Sequence, residues 1–309
     1  MRILISGASG MLGTAIAKLA RSHGHDVISL VRRDSHSPQE ISWDPSSGSL
    51  DPVALEGVDA VINLSGSPIL EPPRRWTKNF IENLYDSRLG PTRTLVKAMH
   101  QAANPPRVFL SQSGKDYYGQ GGPYTESSPA AEYVQQPGVL NDLCLHWEEA
   151  AEAAPEQTRT ITMRTGVVFG PQGGALAKLL TPLRLGLGGN LGSGEQHWPW
   201  IALPDLAAAA LFLLDPGSEG AEVRGPVNFC APEAATVQQI VKALGTALNR
   251  PTFFTVPAFA LRAGLGKAAD EVLLADTVTV PAVLSEAGFD FRYPTVTAAA
   301  DWIAAELRS

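Results

Sequence analysis

Arg2-Ile-Leu-Ile-Ser6, running directly into Gly7-Ala-Ser-Gly10-Met-Leu-Gly13, is the stretch that decides the fold. Five residues rich in branched aliphatics read as a buried strand. The glycines that follow make a G-x-x-G-x-x-G turn, and Gly10 to Ser22 reads as a helix with Leu12, Ile16 and Leu19 on one face. A strand that enters a helix through such a turn brings a helix N-terminus, with its unpaired N–H groups, against whatever sits above the turn. Glycines let backbone approach a pyrophosphate there, so the pattern points to dinucleotide binding, with Gly7, Ser9, Gly10, Met11 and Leu12 as the contacting residues.

Working outward, Val27–Val31 and Val58–Leu64 read as further strands. A long helical stretch from about Trp76 to Ala102 leads to a strand at Val108–Ser111, then a helix near Val139–Ala153 and a strand at Thr160–Thr165. Alternation of this kind predicts an α/β fold, a Rossmann-like doubly wound parallel sheet with helices on both faces. The sheet is expected to be complete at Thr165. Beyond Gly170, dense glycine between Gly186 and Gly194 and proline-punctuated short helices imply a smaller C-terminal substrate lobe. The expected division is residues 1–170 as the dinucleotide lobe, with 204–227 returning to it, and 171–203 plus 228–309 as the second lobe. Asp205 is expected to cap the returning helix at Ala207–Leu214.

Composition narrows the function. The 309 residues are 44% hydrophobic, enough for a full core, and 24 basic against 31 acidic residues give a net charge of −7 without long like-charge runs. That balance argues against a phosphate-gripping nucleic-acid surface and favours a small-molecule partner. Cys144 and Cys230 are the only cysteines, so no disulfide framework is on offer and a reducing, cytoplasmic compartment is expected. No apolar run has the length of a membrane span. The six histidines are scattered without a metal-ligand spacing, and no metal is expected.

Cofactor type can be read at the end of the second strand. About 20 residues after the glycines, a carboxylate would bind the ribose hydroxyls of NAD. Val31, Arg32 and Arg33 stand there instead. A 2′-phosphate calls for guanidinium charge, so the substitution selects NADP(H), with Arg32 the leading candidate.

Further segments carry a family resemblance: Arg75-Trp76-Thr77, Ser87-Arg88, Tyr117-Tyr118-Gly119, Trp147-Glu148, Arg164-Thr-Gly166-Val-Val168, Gly173-Gly174-Ala175-Leu176, Gly192-Ser-Gly194, Asn249-Arg250-Pro251 and Gly288-Phe289. With them the chain resembles, over essentially its whole length, the epimerase-family proteins of the atypical extended short-chain dehydrogenases. Some of these are labelled sugar-nucleotide epimerases or cell-division-inhibitor-like proteins. The resemblance implies an NADP lobe and a substrate lobe with the ligand between them. It also places Val31 and Arg32 at the 2′-phosphate, Leu64 and Ser65 against the cofactor, and Asn83, Arg88 and Val168 around it.

Active extended short-chain dehydrogenases use a Tyr-x-x-x-Lys pair in which the ammonium lowers the tyrosine pKa for proton transfer. Anchoring the comparison on Glu148 puts Leu140 and Cys144 at those positions, on an apolar helix face with Trp147 and Ala151. What remains nearby is Ser111-Gln-Ser113-Gly-Lys115-Asp116-Tyr117-Tyr118. Ser113 could polarise a carbonyl, Tyr117 or Tyr118 could donate a proton, and Lys115 could assist. Two functions follow: an NADP(H)-dependent oxidoreductase or epimerase acting on a small molecule, or a non-enzymatic NADP-binding regulator with a protein partner, for example in cell division. Cys144, on an apolar face, is expected to be an inert core thiol. Oligomeric state is not legible in the sequence.

Overall fold

The computed structural model describes residues 1–72, 74–130 and 138–308. In chain order its strands are β1 (Arg2–Ser6), β2 (Asp26–Val31), β3 (Glu40–Ser42), β4 (Ala60–Asn63), β5 (Val108–Gly114), β6 (Gly121–Tyr124) and β7 (Arg159–Thr165). There follow β8 (Val167–Phe169), β9 (Gly189–Leu191), β10 (Trp200–Ala202), β11 (Gly225–Phe229), β12 (Phe254–Val256) and β13 (Thr277–Thr279). The helices are α1 (Met11–Ser22), α2 (Lys78–Gln101), α3 (Val139–Glu152), α4 (Gly174–Arg184) and α5 (Leu203–Leu214). The remaining helices are α6 (Val237–Leu248), α7 (Ala258–Leu265), α8 (Ala282–Glu286) and α9 (Val296–Glu306).

Seven strands form one parallel sheet in the order β11-β7-β5-β4-β1-β2-β3. Side-chain alternation explains its two covered faces. Ile3 and Ile5 of β1, Ile62 of β4 and Leu110 of β5 point to one side, where Ile16 and Ala20 of α1 and Leu206 and Ala210 of α5 cover them. Leu4, Val61 and Phe109, one residue out of phase, point to the other, against Leu95 and Met99 of α2 and Ala151 of α3. Because both faces are buried, these strands read as unbroken apolar runs. A separate apolar core joins Leu176, Leu180 and Leu183 of α4 with Ile240 and Leu244 of α6 and Ile303 of α9, forming the C-terminal lobe.

Two expectations need correction. The sheet does not end at Thr165: β11 adds beyond β7, with Val227, Asn228 and Phe229 buried, so the chain crosses the expected boundary at 227/228 while still inside the sheet. Pro226 sits on this edge strand, where a missing N–H is tolerated, and its Gly-Pro start disguised it as a turn. Asp205 does not cap α5. The helix begins two residues earlier, with Ala202 at the cap position, and the buried Asp205 carboxylate accepts from the backbone N–H groups of Arg292 (2.9 Å) and Tyr293 (2.9 Å). That contact ties the C-terminal segment to the sheet-covering helix. Among the described residues, no helix is long and apolar enough to cross a membrane.

Candidate functional site

The glycine turn is built so that side chains cannot enter it. Gly7 has φ +71°, a region L-residues avoid, and a Cβ there would stand 2.7 Å from the Leu64 carbonyl oxygen. A Cβ on Gly13 would lie 2.4 Å from the Gly7 carbonyl oxygen. Gly10 donates to that same oxygen at 3.0 Å and occupies the cap position of α1, supplying no side-chain cap. The first α1 amides, those of Met11 and Leu12 included, therefore lack intrahelical acceptors and form a ready site for an anion.

Above the turn opens a cleft of about 1480 Å³ at the carboxyl ends of β1, β2 and β4. Gly7, Ser9, Gly10, Val31, Arg32, Arg33, Leu64, Ser65 and Asn83 line it. Ser65 and Leu64 are held there by a buried polar chain: Ser65 donates to Ser6 Oγ (2.9 Å), Ser6 to Asn63 Oδ1 (2.7 Å), and Asn63 to Thr92 Oγ1 (2.8 Å).

The two arginines after β2 differ. Arg33 makes a bidentate pair with Glu40 at 2.9 and 2.6 Å and donates to the Asp34 carbonyl, and this guanidinium holds the Glu40 carboxyl down at about 2. Arg32 makes no hydrogen bond or ion pair among the described residues and is exposed at the rim. Arg88 stands apart from the cleft surface. It is buried behind Gly66, donates to the Ser67 (2.8 Å) and Leu84 (3.1 Å) carbonyls, and lies over the Trp147 ring at 5.2 Å. Burial without a carboxylate partner lowers its pKa to about 10. The Met11 and Leu12 side chains point elsewhere: the Met11 thioether reaches toward Gly170 and Gly173, and Leu12 packs on the sheet core. Val168, on β8, is half-buried against that core.

At the carboxyl end of β5 the four candidate catalytic residues part company. Ser113 is buried and donates to Glu148 Oε1 at 2.6 Å. Glu148, on α3, is clasped by Arg164 of β7 through Nε (2.9 Å) and Nη2 (2.8 Å), both side chains being buried. Arg164 also donates to Tyr118 Oη (3.0 Å), and Tyr118 donates to Asn228 Oδ1 (2.7 Å). Tyr118 is thus inside the fold, its phenol pushed up to about 12 by burial. Tyr117 is half-buried, with the Arg164 guanidinium 3.4 Å from its ring centroid. Lys115, almost wholly buried, pairs with Asp116 at 2.7 Å. No Lys115 contact to either tyrosine is seen among the described residues. Leu140 and Cys144 are buried on the inner face of α3, and burial raises the Cys144 thiol pKa, as expected of an inert core thiol.

Glu126 and Asn228, which the sequence reading did not single out, close this network. Glu126 Oε1 accepts from the Asn228 (2.9 Å) and Val283 (3.3 Å) N–H groups, while its Oε2 is buried with no partner among the described residues. Desolvation raises the Glu126 pKa. A carboxyl whose folded pKa lies above its unfolded value of about 4.3 contributes stability that is complete below that value and is lost as pH rises through the folded pKa. Glu126→Gln is therefore expected to gain on the parent in urea midpoint between pH 4 and pH 8. A difference that stays constant with pH would contradict this.

The family model described as NAD dependent epimerase/dehydratase family matches residues 3–227, and a domain of unknown function, DUF1731, matches residues 256–303. The chain is 36% identical over 302 residues to the epimerase family protein SDR39U1 of Bos taurus, covering 97% of this chain and 98% of the relative. It is 38% identical to the epimerase family protein ML0860 of Mycobacterium leprae, covering 95% and 92%. Among solved structures, human SDR39U1 with NADPH superimposes with a TM-score of 0.89 at 34% identity, covering 99% of both chains. A nucleoside-diphosphate sugar epimerase from Corynebacterium glutamicum matches 97% of this chain and 57% of its own, with a TM-score of 0.76 at 27% identity. Matching fold, glycine turn and full-length identity agree: the chain belongs to the NAD dependent epimerase/dehydratase family, within the extended short-chain dehydrogenases.

Proposed function

We propose that this protein binds NADP(H) in the cleft above the glycine turn and is an oxidoreductase or epimerase of a small molecule. The observation that carries the reading is the side-chain-free turn opening on a cleft with an unpaired Arg32 at its rim. The α1 amides suit the pyrophosphate, Leu64, Ser65 and Asn83 the nucleotide's flank, and Arg32 the 2′-phosphate. The NADPH in the human relative supports the same reading. Arg33 serves by fixing the loop through Glu40 rather than by direct contact, and Arg88 by holding the loop at Ser67 from behind.

When bound, the nicotinamide supplies or accepts a hydride; the chain must handle the proton. Ser113 and Tyr118 each donate their hydroxyl proton inward, to Glu148 and Asn228. With the Tyr117 ring stacked on Arg164, we assign proton handling to Lys115, at the end of β5 and paired with Asp116 at 2.7 Å.

A charge-assisted hydrogen bond is worth about 1.5–3 kcal/mol. Arg32→Ala is accordingly expected to weaken NADPH binding by about tenfold or more while leaving NADH affinity unchanged, as read by fluorescence titration. Equal losses for the two nucleotides would overturn the assignment of Arg32. Turnover is tested by NADPH oxidation across carbonyl compounds and sugar nucleotides, with Lys115→Met expected to abolish activity and spare NADPH affinity. The commitment of Ser113 and Tyr118 to the buried network also favours a second reading, in which the protein binds NADPH without turnover. Silence across that panel, with tight NADPH binding, would select it.

A further inference from the structure

On the C-terminal lobe, away from the nucleotide cleft, a second concavity of about 490 Å³ is lined by Arg184, Arg250 and Arg308 and by no acidic residue. No ion pair to these three is seen among the described residues; Arg250 Nε donates only to the Arg184 carbonyl, at 2.9 Å. Leu185 lines the same concavity and is 72% exposed. From there the surface turns apolar. Leu187 is exposed, and the chain leaving Arg250 presents Phe253, 75% exposed, then Phe254 and Val256 of β12, and Phe259, 74% exposed, at the start of α7.

The local backbone makes this arrangement stable. Asn249, with φ +54°, ends α6 in a left-handed cap, and Pro251 prevents the helix from continuing, so residues 250–256 run extended across the lobe. β12 pairs on one side with β9, in register Phe254 with Gly189 and Val256 with Leu191. Among the described residues no strand covers its other edge. An apolar strand edge with no strand against it and no charge of its own is a template for another chain.

We propose that this surface receives an extended segment of another protein, one that adds a strand to β12 with apolar residues and sets carboxylates among Arg184, Arg250 and Arg308. Charge decides the occupant. A second copy of this chain, docked by the same face, would bring the same arginines to the same patch. A segment with acidic residues beside an alternating apolar run satisfies both halves of the surface.

The test uses the full chain and a fluorescein-labelled synthetic peptide with three glutamates followed by Val-Thr-Phe-Thr-Val, against the same peptide with lysines for the glutamates. Fluorescence anisotropy is expected to show saturable binding of the acidic peptide and at least tenfold weaker binding of the lysine peptide. Phe253→Ser and the double variant Arg184→Ala with Arg308→Ala should each weaken it about tenfold or more. NADPH affinity of these variants should be unchanged, which shows that they fold and keeps this test separate from the cofactor assignment. Hydrogen exchange across 250–259 should slow on binding. Absence of binding, or binding indifferent to both sets of substitutions, overturns the proposal. So does a chain that is dimeric at micromolar concentration and becomes monomeric with Phe253→Asp, since the face would then belong to a second copy.

Discussion

Gly13→Ala is expected to abolish NADPH binding, weakening it by about a hundredfold or more, without unfolding the chain. The added methyl would stand 2.4 Å from the Gly7 carbonyl oxygen and 2.6 Å from Ala8 Cα. Both neighbours are backbone, so the clash cannot be relieved by a rotamer change. Relief requires α1 to back away from the turn, and that withdraws the Met11 and Leu12 amides from the anion they would meet. The hydrophobic face of α1, with Ile16, Ala17 and Ala20 buried in the sheet core, remains to hold the helix in place. Calorimetric titration with NADPH, alongside far-ultraviolet circular dichroism, checks both halves. Retained affinity would mean that the nucleotide does not rest on this helix end.

The second large effect concerns stability. Glu148→Leu removes the one carboxylate that Arg164 pairs with among the described residues while leaving the guanidinium buried. Breaking one half of a buried, hydrogen-bonded pair costs about 3–5 kcal/mol, because the surviving charge stays dehydrated. The Ser113 hydroxyl also loses its acceptor. Urea unfolding is expected to show that loss, whereas the double variant Glu148→Leu with Arg164→Met should recover much of it, since no uncompensated charge is left. If the double variant were as unstable as the sum of the two single changes, the pair would not be acting as a unit.

How far the sequence discloses this molecule depends on whether the determining contacts are local. β1, the glycine turn and α1 are legible because strand, turn and helix follow one another within 22 residues, and each imposes its own period or residue type. The covered sheet follows from the apolar runs at Ile3–Ile5, Ala60–Ile62 and Val108–Leu110. β11 was hidden because its pairing with β7 joins residues more than 60 positions apart and begins at Gly225-Pro226. Asp205 reads as a helix cap because it precedes an apolar run, yet its acceptors are satisfied from Arg292 and Tyr293, far along the chain.

The same distinction divides the candidate site. Val31, Arg32, Leu64 and Ser65 lie at the ends of recognisable strands, and the cleft does form over them. Arg32 was the leading candidate of the two adjacent arginines, but the reason Arg33 is occupied was not legible, because it depends on Glu40 closing back on Arg33 across a loop. Nor could the sequence show that Ser113 and Tyr118 are spoken for. Their partners Glu148, Arg164 and Asn228 come from three different segments and carry no shared spacing. Of the four candidate catalytic groups, two are buried hydroxyls that donate to Glu148 and Asn228, one is stacked on an arginine, and one lysine is paired with Asp116 at the end of β5.

A crystal structure of the protein grown with NADPH would show where the nucleotide lies. The pyrophosphate is expected within hydrogen-bond distance of the Met11 and Leu12 amides and the 2′-phosphate against the Arg32 guanidinium, with Arg33 still paired to Glu40. A nucleotide bound outside the cleft, or a 2′-phosphate directed away from Arg32, would contradict it.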